Sequence, residues 1–168
     1  MTAPMPTSPK PVVLLVQPSG DDGLEMYEEF LRHQGLAPIA VTNGSDALSA
    51  APQADVVVTG ILLTGTIDGI ELIARLRAEE RTRHIPIVVV TACVWPSERE
   101  RAERAGCDVF LPKPCLPDEL LQEVRRVLPS SRLRRVRATS SKADRPDRAQ
   151  DARRKRRAPR DTSPATKD

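Results

Sequence analysis

The sequence predicts an α/β domain built on a doubly wound parallel sheet over residues 11–128, preceded by a short lead (1–10) and followed by an Arg-rich tail (129–168). Three observations carry this. Five short apolar runs of strand length alternate with five segments of helical periodicity, the pattern of a three-layer βαβ sandwich. The runs are apolar throughout rather than at every second residue, as expected of strands covered on both faces. From Pro129 onward there is no Phe, Trp, Tyr or Ile. Such a segment cannot bury enough apolar surface to offset its ordering entropy, so disorder is expected for the tail, as for the lead.

The first strand is Val12-Val13-Leu14-Leu15-Val16. A helix over 23–34 follows, with Leu24, Tyr27, Phe30 and Leu31 inward and Glu25, Glu28, Glu29 and Arg32 facing water. Gly35 stops it as a C-terminal cap. Ala37-Pro38-Ile39-Ala40-Val41 is a shorter second strand, Pro38 suiting its beginning. Asn43-Gly44-Ser45 turns into a short helix over 46–51, and residues 55–59 form the third strand. Asp68 caps a helix that runs to Glu80, and Glu71 completes a capping-box-like pair. Ile70, Ile73, Ala74 and Leu76-Arg77 give that helix mixed faces. Residues 86–91 hold the strongest β signal, Ile87-Val88-Val89-Val90. Ser97-x-x-Glu100 opens a highly charged helix that ends at Gly106. Val109-Phe110-Leu111 is the fifth strand. Pro117 suits the first turn of a last helix, on which Leu120, Leu121, Val124, Val127 and Leu128 form one stripe.

Charge is divided sharply along the chain. Residues 1–128 hold 12 Lys and Arg against 18 Asp and Glu, a net −6, whereas residues 129–168 hold 14 against 5, a net +9. Cys93, Cys107 and Cys115 are odd in number and lack CxxC spacing, so neither a disulfide framework nor a zinc site is indicated. No apolar run reaches the ~20 residues of a membrane span, and the Pro/Thr/Ser-rich lead lacks the apolar stretch of a signal peptide. A cytoplasmic protein without membrane contact is expected.

Right-handed crossovers bring the carboxyl ends of all the strands to one edge, where ligands sit in open α/β sheets. Gly60, Thr91-Ala92 and Lys113-Pro114 converge there. Together with Glu25-Met26-Tyr27-Glu28-Glu29-Phe30-Leu31, Asp46-Ala47-Leu48, Ala54-Asp55, Asp68-Gly69-Ile70-Glu71-Leu72 and Ala105-Gly106-Cys107-Asp108, their order and spacing resemble the receiver domain of bacterial two-component response regulators, a flavodoxin-like fold. The resemblance covers nearly all of residues 11–128. It implies an aspartate at the end of strand three that takes a phosphoryl group from a histidine kinase, and two acidic residues after strand one that help hold Mg²⁺. It also implies a threonine and a lysine that contact the phosphoryl group and a strand-five aromatic that changes rotamer. Thr91, Lys113 and Phe110 match those positions.

The acceptor position, however, is Gly60, and the acidic pair is replaced by Gln17-Pro18. The loop from Gly60 to Gly69 is one residue longer than the commonest form, yet no frame shift supplies an aspartate; the nearest are Asp55 and Asp68. Phosphoryl transfer to a carboxylate needs both the nucleophile and the metal that neutralises developing charge. The expectation is therefore a degenerate receiver (pseudo-receiver), not an enzyme and without a metal or cofactor. It would act by contact with a protein partner, a sensor kinase or a downstream regulator. Asp68 as a displaced acceptor is a weaker rival.

Several residues carry paired readings. Lys113 would need a new anionic partner, Asp21 or Asp22, or would hold a free anion with Thr91. The Lys113–Pro114 bond is cis by the resemblance. Phe110 is read as a packed residue rather than a switch, and Cys115 as a small apolar filler rather than a reactive thiol. Trp95 is either a binding anchor or a cover over the fourth helix. The resemblance implies a dimer or partner face on the fourth helix, fifth strand and fifth helix, where Arg125, Arg126, Glu98, Glu100 and Glu103 would pair across subunits or form a solvated face. As an alternative function, Arg153, Arg154, Lys155, Arg156 and Arg157, with Arg132, Arg134, Arg135 and Arg137 upstream, would contact nucleic-acid phosphates. The bland counterpart is a solubilising tail.

Overall fold

The Val-rich runs become the buried central strands of one sheet, and the two edge strands are only partly covered. The computed structural model describes residues 9–128. Its strands are β1 (Val12–Val16), β2 (Ala37–Val41), β3 (Val56–Thr59), β4 (Ile87–Thr91) and β5 (Val109–Pro112). They pair in parallel in the order β2-β1-β3-β4-β5. The helices are α1 (Asp22–His33), α2 (Gly44–Ala50), α3 (Gly69–Ala78), α4 (Pro96–Ala105) and α5 (117–128).

Alternate residues of the central strands feed two cores. Val13, Leu15, Val56, Val58, Val88 and Val90 pack under α1 and α5, against Tyr27, Leu31, Leu120, Leu121 and Val124. Leu14, Val16, Val57, Ile87 and Val89 face the α2, α3 and α4 side, against Ala47, Leu72, Ile73, Leu76 and Ala102. The apolar stripe expected on the last helix is buried in full.

Some boundaries differ from expectation for local reasons. Helix α1 starts earlier because the Asp21 carboxylate caps it, accepting from Gly23 N–H at 2.8 Å. Helix α2 starts at Gly44, capped by Asn43, and a 3₁₀ turn over Ala51–Gln53 follows it. Strand β3 starts after Asp55, whose carboxylate accepts from Val12 N–H at 2.8 Å. The capping box of α3 forms only by half. Asp68 accepts from Glu71 N–H at 2.8 Å, but the Glu71 carboxylate pairs with Arg75. Ser97 does not cap α4; the cap position is Trp95, without a side-chain bond, and Pro96 opens the helix. Gly35 and Gly106 take the left-handed backbone expected of helix stops, at φ 83° and 115°. Residues 1–8 of the lead and the whole tail, with its Arg153–Arg157 run, lie outside the described residues.

Candidate functional site

Topology delivers the predicted residues to one place. Gln17, Pro18, Asp21, Gly60, Thr91 and Lys113 line a cleft of ≈ 140 Å³ at the carboxyl edge, with Ile61, Leu62 and Cys93. Gln17 follows β1, Gly60 follows β3, Thr91 ends β4 and Lys113 follows β5.

Gln17 occupies the floor and is 1% exposed. Its amide nitrogen donates to the Val90 carbonyl at 3.3 Å, and its amide oxygen accepts from Lys113 Nζ at 3.3 Å. Lys113 also donates to Asp21, forming an ion pair whose side chains are 23% and 18% exposed. Of the two aspartates weighed as partners for Lys113, Asp21 is the one that reaches it. Burial raises the Asp21 carboxyl pKa, but the Lys113 hydrogen bond, the Gly23 N–H and the Lys113 charge outweigh it, so the group sits below its ordinary value. Pro18 brings no donor; its carbonyl accepts from Asp21 N–H at 3.2 Å.

Gly60 contributes backbone only. It is not among the glycines with left-handed φ, so no conformational demand excludes a side chain there. A Cβ built at residue 60 would lie 3.0 Å from Gln17 Oε1. Gly69 is different, because a Cβ there would fall 1.9 Å from the Gly60 carbonyl oxygen. The long loop is therefore folded back onto the end of β3, and Gly69 N–H donates to Ile61 O at 2.7 Å.

Thr91 is buried, and its hydroxyl accepts from Cys93 N–H at 3.1 Å. Phe110 is half-buried against the core on the α4 side, with the Arg99 guanidinium 5.5 Å from its ring centroid. Cys115 is buried; burial and then the Glu119 carboxylate push its thiol pKa up, the opposite of activation. The Lys113–Pro114 bond is cis. Trp95 is 72% exposed, so it does not serve as a cover over α4. Asp68 and Asp22 do not line the cleft.

Sequence reasoning passed over two sets of contacts, one at this edge and one at the opposite, amino-terminal end of β4 and β5. The Tyr27 hydroxyl donates to Cys115 O at 2.7 Å, tying α1 to the loop before α5. Burial, followed by the Cys115 thiol beside it, pushes the Tyr27 pKa up to about 12. Arg77 donates to the carbonyls of Gly106, Ile85 and Arg83 and to Asp108, at 2.9, 2.6, 2.8 and 2.9 Å. A tyrosine among apolar helix positions signals only a core residue, and an arginine near a helix end signals only a solvated charge.

The donor set does not match Mg²⁺, a hard cation that takes oxygen ligands at about 2.1 Å in octahedral geometry and favours carboxylates. The only carboxylate lining the cleft is Asp21, already paired with Lys113. Among the described residues no three His, Cys, Asp or Glu side chains cluster as a metal site.

Residues 16–125 match the model of the response regulator receiver domain. The chain is 25% identical over 107 residues to the polar-differentiation response regulator DivK of Brucella ovis, covering 62% of this chain and 86% of that one. Among solved structures, a putative response regulator from Chloroflexus aurantiacus is 33% identical with a TM-score of 0.64, covering 71% of this chain and 98% of that one. The receiver domain of a sensor histidine kinase from Pseudomonas aeruginosa, whose cleft holds a coordinated magnesium ion, is 27% identical with a TM-score of 0.65, covering 71% and 98%. The parallel five-stranded flavodoxin-like sheet, the matched residues and these likenesses lead to one conclusion: this chain belongs to the response regulator receiver domain family.

Proposed function

We propose that the chain is a receiver module of a two-component pathway that signals by protein–protein contact and does not pass through an aspartyl phosphate. The observation that carries this reading is the cleft itself. Position 60 offers hydrogen where the family's chemistry needs a carboxylate, and the lysine that would meet a phosphoryl group is paired with Asp21 and Gln17. Phosphoryl transfer in such a site requires an in-line nucleophile and positive charge on the transferring oxygens. Neither the acceptor nor a metal-holding pair of carboxylates is available here.

Asp68 makes a poor substitute, since its carboxylate caps α3 and lies outside the cleft lining. The partner on this reading is a sensor kinase or a downstream regulator. Four of the charged groups suggested for pairing across subunits are engaged within their own helices: Glu98 with Arg101, Glu100 with Arg104, Glu103 with Arg99 and Arg126 with Glu123. Incubation with acetyl phosphate and Mg²⁺, followed by intact-mass measurement, tests the reading. No base-labile phosphoryl adduct is expected, and stoichiometric labelling of a carboxylate would overturn it.

A second reading rests on the charge division along the chain, net −6 over residues 1–128 against +9 over 129–168. In it the tail contacts nucleic-acid phosphates, and affinity falls steeply with salt. Loss of a gel shift on truncation at Pro129 supports it, and unchanged mobility at low salt removes it.

A further inference from the structure

We infer that Gln17 is a second barrier, independent of the missing aspartate, that positions Lys113 and closes the volume into which any side chain at position 60 would project. The inference deepens the phosphate-independent reading above and rests on it.

The geometry points to this residue specifically. Gly60 does not use left-handed backbone, so conformation alone does not call for glycine there. What crowds a side chain there is the Gln17 carboxamide, with its Oε1, Cδ and Nε2 at 3.0, 3.5 and 3.6 Å from a built Cβ. That carboxamide is held at both ends, by the Val90 carbonyl and by Lys113, and it is 1% exposed. A buried amide loses a hydrogen bond whichever way it turns, and each unmade buried bond is costly. Gln17 therefore cannot swing aside freely when residue 60 grows.

The same amide oxygen, with Asp21, gives the Lys113 ammonium both of its acceptors. A carboxylate introduced at position 60 would press its Cβ against the Gln17 amide oxygen, beside a lysine already paired with Asp21. Restoring aspartate at position 60 alone would therefore not rebuild a cation site. Changing Gln17 as well both vacates the volume and frees Lys113 from one acceptor.

The inference makes Gln17 and Gly60 an energetically coupled pair, and two measurements on the full chain test it. In a thermal-unfolding cycle, Gly60→Ala lowers the midpoint by about 4 °C in the wild-type background. In the Gln17→Ala background the same change costs less than half as much, because the Cβ then has room. Equal shifts in both backgrounds would overturn the inference. In Mg²⁺ titrations followed by tryptophan fluorescence, Gly60→Asp alone binds no better than wild type, whereas Gln17→Asp with Gly60→Asp binds at least roughly tenfold tighter. Circular dichroism confirms that both variants are folded. If Gly60→Asp alone matches the double variant, or the folded double variant gains nothing, the inference is wrong while the phosphate-independent reading stands. Saturable Mg²⁺ binding or labelling of the wild type would instead remove that underlying reading.

Discussion

Asp21 holds two structural jobs on one carboxylate, capping α1 through Gly23 N–H and pairing with Lys113. Asp21→Ala removes both and is expected to cost about 2 kcal/mol in urea unfolding, while Asp21→Asn keeps a capping oxygen and costs about 1 kcal/mol. The pH dependence has a defined sign. Because the folded Asp21 pKa lies below the ordinary 3.8, its contribution is present in full above that value and is lost as pH falls through the folded pKa. The stability gap between wild type and Asp21→Asn should therefore close below pH 3.8 and stay constant towards neutrality. A gap that persists in acid would show that Asp21 acts otherwise than by its charge. Gly69→Ala belongs to the same scale. Its Cβ would strike the Gly60 carbonyl at 1.9 Å, a backbone atom that cannot rotate aside, so a loss of about 3 kcal/mol or more is expected in the same assay.

Among the elements, the junction of α3, α4 and β4 depends on Arg77, which serves three carbonyls and Asp108, while Asp108 also accepts from Ile87 N–H at 2.9 Å. A planar guanidinium with several donors suits this fan of acceptors and an ammonium does not. Arg77→Lys is expected to cost about 2 kcal/mol by chemical denaturation, with Asp108→Ala no longer additive to it. Such long-range fans are invisible in a sequence, where Arg77 reads as one more charge near a helix end. The central strands were legible because covering a strand on both faces forces continuous apolar runs. Helix starts were less legible. Asp21 and Asp68 cap α1 and α3, whereas Ser97 resembles a cap and is not one. Pro96 preset the first turn of α4, leaving Ser97 no cap to make.

Across the whole molecule, the candidate site was readable as positions but not as contacts. Parallel topology required Gln17, Gly60, Thr91 and Lys113 to meet at one edge, and they do. That Gln17 rather than water fills the space beside Gly60 depends on side-chain packing, which no spacing rule encodes. The exposed large apolar side chains of the described residues gather at the same end: Leu62, Val94, Trp95 and Leu116 on the loops after β3, β4 and β5, with Met26 on α1. Exposed apolar side chains near the carboxyl edge are a surface suited to contact with a partner protein.

The sole tryptophan, Trp95, is well exposed and stands two residues beyond Cys93 of the cleft lining. Its fluorescence during titration of the wild-type chain with Mg²⁺ and beryllofluoride is the most direct measurement of the central claim. The account predicts a flat trace and no adduct in the recovered protein. A saturable change that requires both reagents together would contradict it.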